Sequence, residues 1–360
     1  MLAVLAPGQG TQRQGFLADW LTLSGLEGRL QSLSDAAGVD LLTAGTTMSD
    51  EDISDTAIAQ PLIVGAGLAT LPELSVDPAG CVTAGHSVGE FTAAAAAGIL
   101  TDRAAIQLIR ARAAAMAMAS AATPSGMAAI LGGDEAEVLA AIDAAGCVAA
   151  NFNCAGQVVA AGPTAALERL VAAPPSGARV RPLAVAGAFH TDLMASAQDA
   201  LADVASAVTA ADCVGGVLSN RDGSLLTSGD EVLRRLVAQV CLPVRWDACL
   251  RTMAALGVTA VIELPPAGTL TALVRRALPG VEIVALRTPD DLPAAKELVA
   301  LHTTQPMAAA PSWRLLVAPE KGTVRLDDVV AEAGSTLIEL LVSDGDPVSA
   351  GQPLARVSAK

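Results

Sequence analysis

Hydrophobic and polar positions alternate between two periods along this chain. Short unbroken apolar runs such as Leu2–Ala6 suit buried strands, and longer alanine-rich stretches carry the i, i+3, i+4 spacing of helices. The pattern predicts a strand at Leu2–Ala6, ended by the turn Pro7-Gly8-Gln9-Gly10, and a second strand at Cys81–Ala84. A helix is predicted over Val88–Leu100, then another capped by Thr101 and running to Ala122. Strands alternating with helices predict an α/β fold.

From Pro124 the texture changes. Gly126–Leu131 alternates as a strand does, and Asp134–Ala145 reads as a helix stopped by Gly146. Cys147–Asn151 and Gln157–Ala161 read as strands, Thr164–Ala173 as a helix stopped by Pro174-Pro175, and Val180–Val185 as a strand. The order β-α-β-β-α-β is the ferredoxin-like pattern. It predicts a ferredoxin-like insert over 124–184, set into a larger α/β body formed by 1–123 and 185–303. A linker is expected over 304–311. Residues 312–360 read as a β-rich module, with turn signals at Lys321-Gly322, Ala333-Gly334 and Asp344-Gly345-Asp346-Pro347.

Composition narrows the chemistry. The 360 residues include 4 Phe, 3 Trp and no Tyr, so the core must be aliphatic and no tyrosine can act as an acid. Lys+Arg minus Asp+Glu is 22 − 37 = −15, which argues against nucleic acid as a partner. No apolar run reaches the roughly 18 residues of a membrane span. The start MLAVLAPGQG lacks a basic segment and reads as a buried strand, not a signal peptide. Six cysteines without a C-x-x-C pair read as reduced, mostly buried thiols of a cytoplasmic protein. With three histidines, none suitably spaced with a cysteine, no metal site is expected.

The most informative stretch is Gly85-His86-Ser87-Val88-Gly89-Glu90, between a predicted strand and a predicted helix. That setting is what a G-x-S-x-G nucleophile elbow requires. It would place Ser87 at a helix N-terminus, with the Val88 N–H aimed at a developing oxyanion. The competing reading is a glycine turn with a passive serine. A serine nucleophile needs a base. His86 adjoins the serine in a sharp turn, so its ring is expected to point elsewhere, and His302 at the linker edge reads as solvated. His190, in Gly187-Ala188-Phe189-His190, is the best candidate; the alternative is a structural histidine at a helix start. No acidic third member stands out, so a backbone carbonyl or an amide such as Gln239 would orient the ring.

One cation is out of place. Arg103, Gln107 and Arg110 share a polar helix face, but Arg112 falls in the stripe Ala105, Leu108, Ile109, Arg112, Met116, Ala119. A buried guanidinium needs an anion, either a protein carboxylate or a ligand carboxylate held bidentately.

Several ordered motifs then resemble one family, the malonyl-CoA:acyl carrier protein transacylases. They are Ala6-Pro7-Gly8-Gln9-Gly10-Thr11-Gln12, Thr56-Ala57-Ile58-Ala59-Gln60-Pro61, the serine motif at 85–90, and Arg112 with Met116. Asn151-Phe152-Asn153, Gly187-Ala188-Phe189-His190, and Gln239 before Pro243-Val244-Arg245-Trp246 complete the set, which covers residues 1 to about 302. The resemblance implies an α/β-hydrolase-like body with a ferredoxin-like insert. It implies Ser87 as the acylated nucleophile, His190 as its base, and Gln239 as the residue that steadies the histidine. Gln9 and the Val88 N–H would form the oxyanion hole. Arg112 would hold the malonyl carboxylate, with Met116, Asn153, Phe189 and Gln60 in the substrate pocket. Phe189 before the histidine fits members that use malonyl groups. Malonyl-CoA and acyl carrier protein would be the partners in fatty-acid or polyketide biosynthesis, with no cofactor beyond the coenzyme A thioester. Two positions depart from the pattern: Leu242, where an asparagine or serine often precedes the proline, and Glu263-Leu264-Pro265-Pro266-Ala267-Gly268, a variant turn.

Carrier proteins of this kind are acidic, so an acidic enzyme needs a local basic patch to dock one. Candidates are Arg179 with Arg181, Arg234-Arg235, and Arg275-Arg276, of which Arg275 and Arg276 are expected to contribute. The extension at 312–360 resembles a shortened biotinyl/lipoyl-type domain without a lysine in the modification turn, a module for docking or self-association. Two rivals remain at this point: a serine hydrolase or thioesterase using the same elbow, and a non-catalytic synthase assembly protein.

Overall fold

The computed structural model describes residues 1–213 and 215–303, and beyond them the strands Trp313–Val317, Gly322–Thr323, Leu337–Leu340, Pro347–Val348 and Pro353–Ser358. The chain divides into two units, Met1–Pro306 and Met307–Lys360.

The strands of the first unit are β1 (Leu2–Ala6), β2 (Cys81–Gly85), β3 (Ser125–Gly132), β4 (Val148–Cys154), β5 (Gln157–Pro163), β6 (Ala178–Pro182), β7 (Val217–Leu218), β8 (Leu225–Leu226), β9 (Val244–Arg245), β10 (Ala260–Glu263) and β11 (Glu282–Ala285). One sheet has the order β11-β10-β1-β2-β7-β8, parallel except that β8 runs antiparallel to β7. β1 and β2 are buried at every residue, as expected where both faces of a parallel sheet are covered. Their register sets Ala6 opposite Gly85. The turn after β1 and the serine motif after β2 therefore leave the sheet side by side, at its carboxyl edge, where ligands bind in open α/β sheets.

The core is aliphatic, as the composition requires, with Trp20, Trp246 and Phe91 the only aromatics among its largest fully buried side chains. Two helices, Thr56–Thr70 and Asp102–Ala122, carry inward-facing site residues. Thr56–Leu74 is long and apolar enough to cross a membrane, but 72% of that window is buried inside the fold.

The second sheet has the order β6-β3-β5-β4-β9. Its first four strands are antiparallel neighbours, joined by the helices Glu135–Ala144 and Thr164–Ala172 in the sequence β-α-β-β-α-β. β9 was not anticipated. It comes from outside 124–184 and pairs parallel with β4, covering an edge that would otherwise present unpaired backbone groups.

Several boundaries moved for identifiable reasons. The helix expected to reach Leu100 spans Gly89–Ala96. Gly98, at φ 80°, ends it in a Schellman motif: its N–H donates to Ala95 C=O and that of Ile99 to Ala94 C=O. β4 extends past Asn151 to Cys154, and β6 lies at Ala178–Pro182 rather than Val180–Val185. Thr101 caps the next helix as expected, accepting from the Ala104 N–H at 3.1 Å.

In the second unit, Pro353–Ser358 lies between Trp313–Val317 and Leu337–Leu340 in an antiparallel sheet, and Gly322–Thr323 pairs antiparallel with Pro347–Val348. The linker expected over 304–311, most of the expected turn residues from Lys321 to Asp346, and Lys360 lie outside the described residues.

Candidate active site

The elbow is built by two backbone contacts that only glycine permits. A Cβ on Gly85 would lie 1.9 Å from the Gly89 carbonyl carbon, and one on Gly89 would lie 2.2 Å from Ala6 O. Strand and helix can thus meet with Ser87 at the bend, at φ 52°. That conformation costs a non-glycine residue about 1–3 kcal/mol, so the surroundings must hold it. Two buried amides do so. The Ser87 N–H donates to Asn220 Oδ1 at 2.7 Å, and Gln239 Nε2 donates to Ser87 C=O at 3.0 Å.

Ser87 and His190 meet. Ser87 Oγ is 2.8 Å from His190 Nε2, and His190 Nδ1 is 2.8 Å from Gln239 C=O. A carbonyl only accepts, so Nδ1 carries the hydrogen and Nε2 offers its lone pair to the serine O–H. Burial, then the charge of Arg112, push the His190 pKa down to about 3. The ring is neutral and unprotonated at Nε2, as a general base must be. The group that orients the ring is the backbone carbonyl of Gln239, one of the two possibilities open from sequence.

Arg112 is fully buried. Nη1 donates to Gln60 Oε1 at 2.8 Å, and Nη2 donates to Gln239 Oε1 at 3.0 Å and to Ser87 Oγ at 3.3 Å. Its Nε has no partner. No carboxylate among the described residues lies within ion-pair distance of it. Burial pushes its pKa down, to about 10, while Glu90 opposes the shift, so it stays charged at neutral pH. A charged fork whose acceptors are neutral amides and a hydroxyl is poised for an anion.

The remaining predicted residues divide into those the structure brings to this cluster and those it does not. Gln60 Nε2 donates to Gln9 Oε1 at 3.3 Å and approaches Met116 Sδ at 3.6 Å, and Gln9 Nε2 donates to Thr56 Oγ1 at 3.3 Å. Gln9 is thereby linked to Arg112 through Gln60. Met116 and Phe189 are buried in one apolar cluster with Val88, whose backbone follows the serine. Asn153 lies on the other side of the elbow: its Oδ1 is 2.9 Å from His86 Nε2. The His86 ring points away from the serine, as expected, toward Asn153 and Trp246. Arg275 and Arg276 are exposed on the helix Thr269–Ala277, and Arg276 donates to Gln157 and to Ala155 C=O rather than to any residue of the cluster. Arg235 is tied to Glu231 and Asp222, and Arg234 to Glu231, so that pair is largely neutralised.

One expectation is corrected. His302 is not solvated; it is half-buried, 2.8 Å from Thr259 Oγ1 and 3.4 Å from Glu282, because it closes its helix against the edge of the sheet. Cys81, Cys147 and Cys249 are buried, Cys154, Cys213 and Cys241 are partly buried, and all six thiols are free. Two buried residues of the site went unassigned from sequence. Glu90 is the last residue of the serine motif, where an acid in a first helical turn looks like an ordinary dipole partner. Asn220 sits in Ser219-Asn220-Arg221-Asp222-Gly223, which reads as a plain turn. Among the described residues no group of His, Cys, Asp and Glu could hold a metal ion.

A buried serine, a neutral imidazole and a guanidinium with no carboxylate partner among the described residues form a cluster whose chemistry suits acyl transfer. The acyl transferase domain family matches residues 5–288. Over 296 residues the chain is 48% identical to a malonyl CoA-acyl carrier protein transacylase of Mycobacterium tuberculosis, covering 81% of this chain and 98% of that protein. The chain belongs to this acyltransferase family. The acyltransferase also superposes on the crystal structure of MCAT from Mycobacterium tuberculosis with a TM-score of 0.80 at 48% identity, over 82% of this chain and 99% of that one. A malonyl-transacylase solved in complex with a type II PKS acyl-carrier protein is similar at 30% identity and a TM-score of 0.76, over 82% and 99%.

Proposed function

We propose that this acyltransferase moves a malonyl group from malonyl-CoA to the phosphopantetheine thiol of an acyl carrier protein, through a malonyl ester on Ser87. The observation that carries the reading is the Arg112 fork beside the nucleophile: Nη2 is 3.3 Å from Ser87 Oγ, and no carboxylate among the described residues pairs with it. In a malonyl ester the free carboxylate lies one methylene beyond the reacting carbonyl, within that fork's reach.

His190 Nε2 takes the Ser87 proton as Oγ bonds to the thioester carbon. The Val88 N–H, with Gln9, stabilises the oxyanion. The C–S bond breaks, and His190 returns the proton to the coenzyme A thiolate. The pantetheine thiol then attacks the ester by the reverse route, restoring Ser87. The carboxylate on Arg112 offsets the charge that depresses His190, so substrate binding strengthens the base when it is needed. Gln60 orients the guanidinium, Met116 and Phe189 close the apolar wall, and Asn153 holds His86 behind the elbow.

The same reading places the enzyme in the cytoplasm, serving fatty-acid or polyketide chain growth, with Arg275 and Arg276 facing the carrier protein. The segment 312–360 is read as an unmodified biotinyl/lipoyl-like module for docking or self-association. The test is intact mass spectrometry after mixing with malonyl-CoA. A malonyl adduct is expected, lost in Ser87→Ala and discharged by carrier protein. An adduct that discharges to water as fast without carrier protein would replace this reading with a hydrolase.

A further inference from the structure

Glu90 is 4% exposed, and its side chain hydrogen-bonds neither to Ser87 Oγ nor to the His190 ring, yet its two oxygens accept from the two residues whose side-chain amides hold the nucleophile. Oε1 accepts from the Asn220 backbone N–H at 2.6 Å, and Oε2 accepts from Gln239 Nε2. Asn220 in turn clamps the elbow, accepting from Ser87 N–H and donating from Nδ2 to Gly85 C=O at 2.7 Å. Gln239 clamps the same residue from its carbonyl side, and its Oε1 accepts from Arg112.

The chemistry of these neighbours leaves Gln239 one direction. Its nitrogen faces two groups that only accept, the Glu90 carboxylate and the Ser87 carbonyl. Its oxygen faces a guanidinium, which only donates. An amide at position 90 breaks this consistency. If its oxygen accepts from Asn220, its nitrogen meets the nitrogen of Gln239. If Gln239 reverses, its nitrogen meets Arg112 and its oxygen meets the Ser87 carbonyl. No arrangement of the two amides satisfies every buried group, and unsatisfied buried groups are costly.

We propose that Glu90 is a positioning residue: by accepting from Asn220 and Gln239 it fixes the direction of the Gln239 amide, and through it aims the Arg112 fork at the acyl group, so that it sets selectivity for an acyl chain ending in a carboxylate. The proposal rests on the malonyl-transfer reading of this site. Burial also pushes the Glu90 pKa up to about 7, so the acceptor-only carboxylate is the prevailing form above that pH, which is where wild type and variants are compared.

The test compares wild type and Glu90→Gln in single-turnover acylation of Ser87 by malonyl-CoA and by acetyl-CoA, followed by intact mass, with melting temperature as a check of folding. The expected result is a malonyl-to-acetyl ratio at least about tenfold lower in Glu90→Gln, from losing aim on a charged partner. Glu90→Asp keeps an acceptor-only group on a shorter arm and should recover part of that ratio. A folded Glu90→Gln enzyme with an unchanged ratio, or one slowed equally toward both thioesters, overturns the proposal. If Glu90→Gln does not accumulate as folded protein, Glu90→Asp decides: a reduced ratio supports the role and an unchanged one removes it. Failure of wild type to form a malonyl ester on Ser87 is a separate outcome, which sinks the transfer reading itself.

Discussion

Ser87 and His190 both hold left-handed backbone, at φ 52° and 63°, and their side chains meet at 2.8 Å. Neither residue is glycine, so each conformation is imposed by its surroundings. At Ser87 the imposition is visible on both sides of the residue, through Asn220 on the N–H and Gln239 on the carbonyl. The fold thus spends stability to aim a hydroxyl and an imidazole at each other.

This strain is separable from the chemistry. Ser87→Ala and Ser87→Gly both remove Oγ and its contacts with His190 and Arg112. Only glycine adopts φ 52° without penalty. Ser87→Gly is expected to be more stable than Ser87→Ala by about 1 kcal/mol, after allowing for the greater freedom of unfolded glycine. Urea denaturation midpoints check this. Equal midpoints would mean that the strain at the bend is no larger than the roughly 0.4–1 kcal/mol that glycine costs through the unfolded chain.

Arg112→Ala should form an acyl-enzyme but lose its preference for malonyl over acetyl by about 2–4 kcal/mol, the scale of removing one partner of a buried charged pair. Arg112→Lys keeps the charge and loses the fork, so an intermediate preference is expected. Competition between the two thioesters, read by mass, measures both. An unmodified enzyme that used acetyl-CoA equally would contradict the role given to the guanidinium.

The protonation of His190 links stability to pH. Its pKa is lowered to about 3 in the fold from 6.5 unfolded. Between those values the unfolded chain binds a proton that the folded one refuses, so stability falls as pH drops below 6.5 and the loss is complete near 3. His190→Gln lacks this proton. Within that window wild type should lose stability on acidification more steeply than His190→Gln, by up to about 1.4 kcal/mol per pH unit. Parallel stability curves for the two proteins would show that the buried imidazole titrates normally.

Where sequence reading succeeded, the constraint was local. Gly85 is demanded by its contact with Gly89, four residues on, and the strand–turn–helix order around them is set by short-range patterning; Gly89 answers in addition to Ala6 of the neighbouring strand. Arg112 was legible because a cation broke an otherwise apolar stripe on one helix. Glu90 and Asn220 were not, because each looks ordinary beside its chain neighbours and acquires meaning only from partners 130 residues away. The two-residue strand β9 is too short to show a period, and it exists because the exposed edge of β4 needs a neighbour. His302 escaped for a similar reason: nothing near it in sequence announces Thr259 or Glu282.

The chain carries a net charge of −15, so an acidic carrier protein is repelled at long range and must be received by a local cationic surface. Arg275 and Arg276 are both exposed at the end of the helix Thr269–Ala277, and neither is engaged by a carboxylate among the described residues. Arg276 reaches only neutral acceptors, Gln157 and the Ala155 carbonyl. Reversing both charges should raise the KM for carrier protein several-fold and weaken its dependence on ionic strength, because exposed charges act mainly on encounter. Formation of the malonyl ester from malonyl-CoA should keep its rate, since neither arginine contacts the serine cluster. An unchanged rate of transfer to carrier protein would move the docking surface elsewhere, and the exposed Arg179 and Arg181 of β6 would be the next pair to reverse.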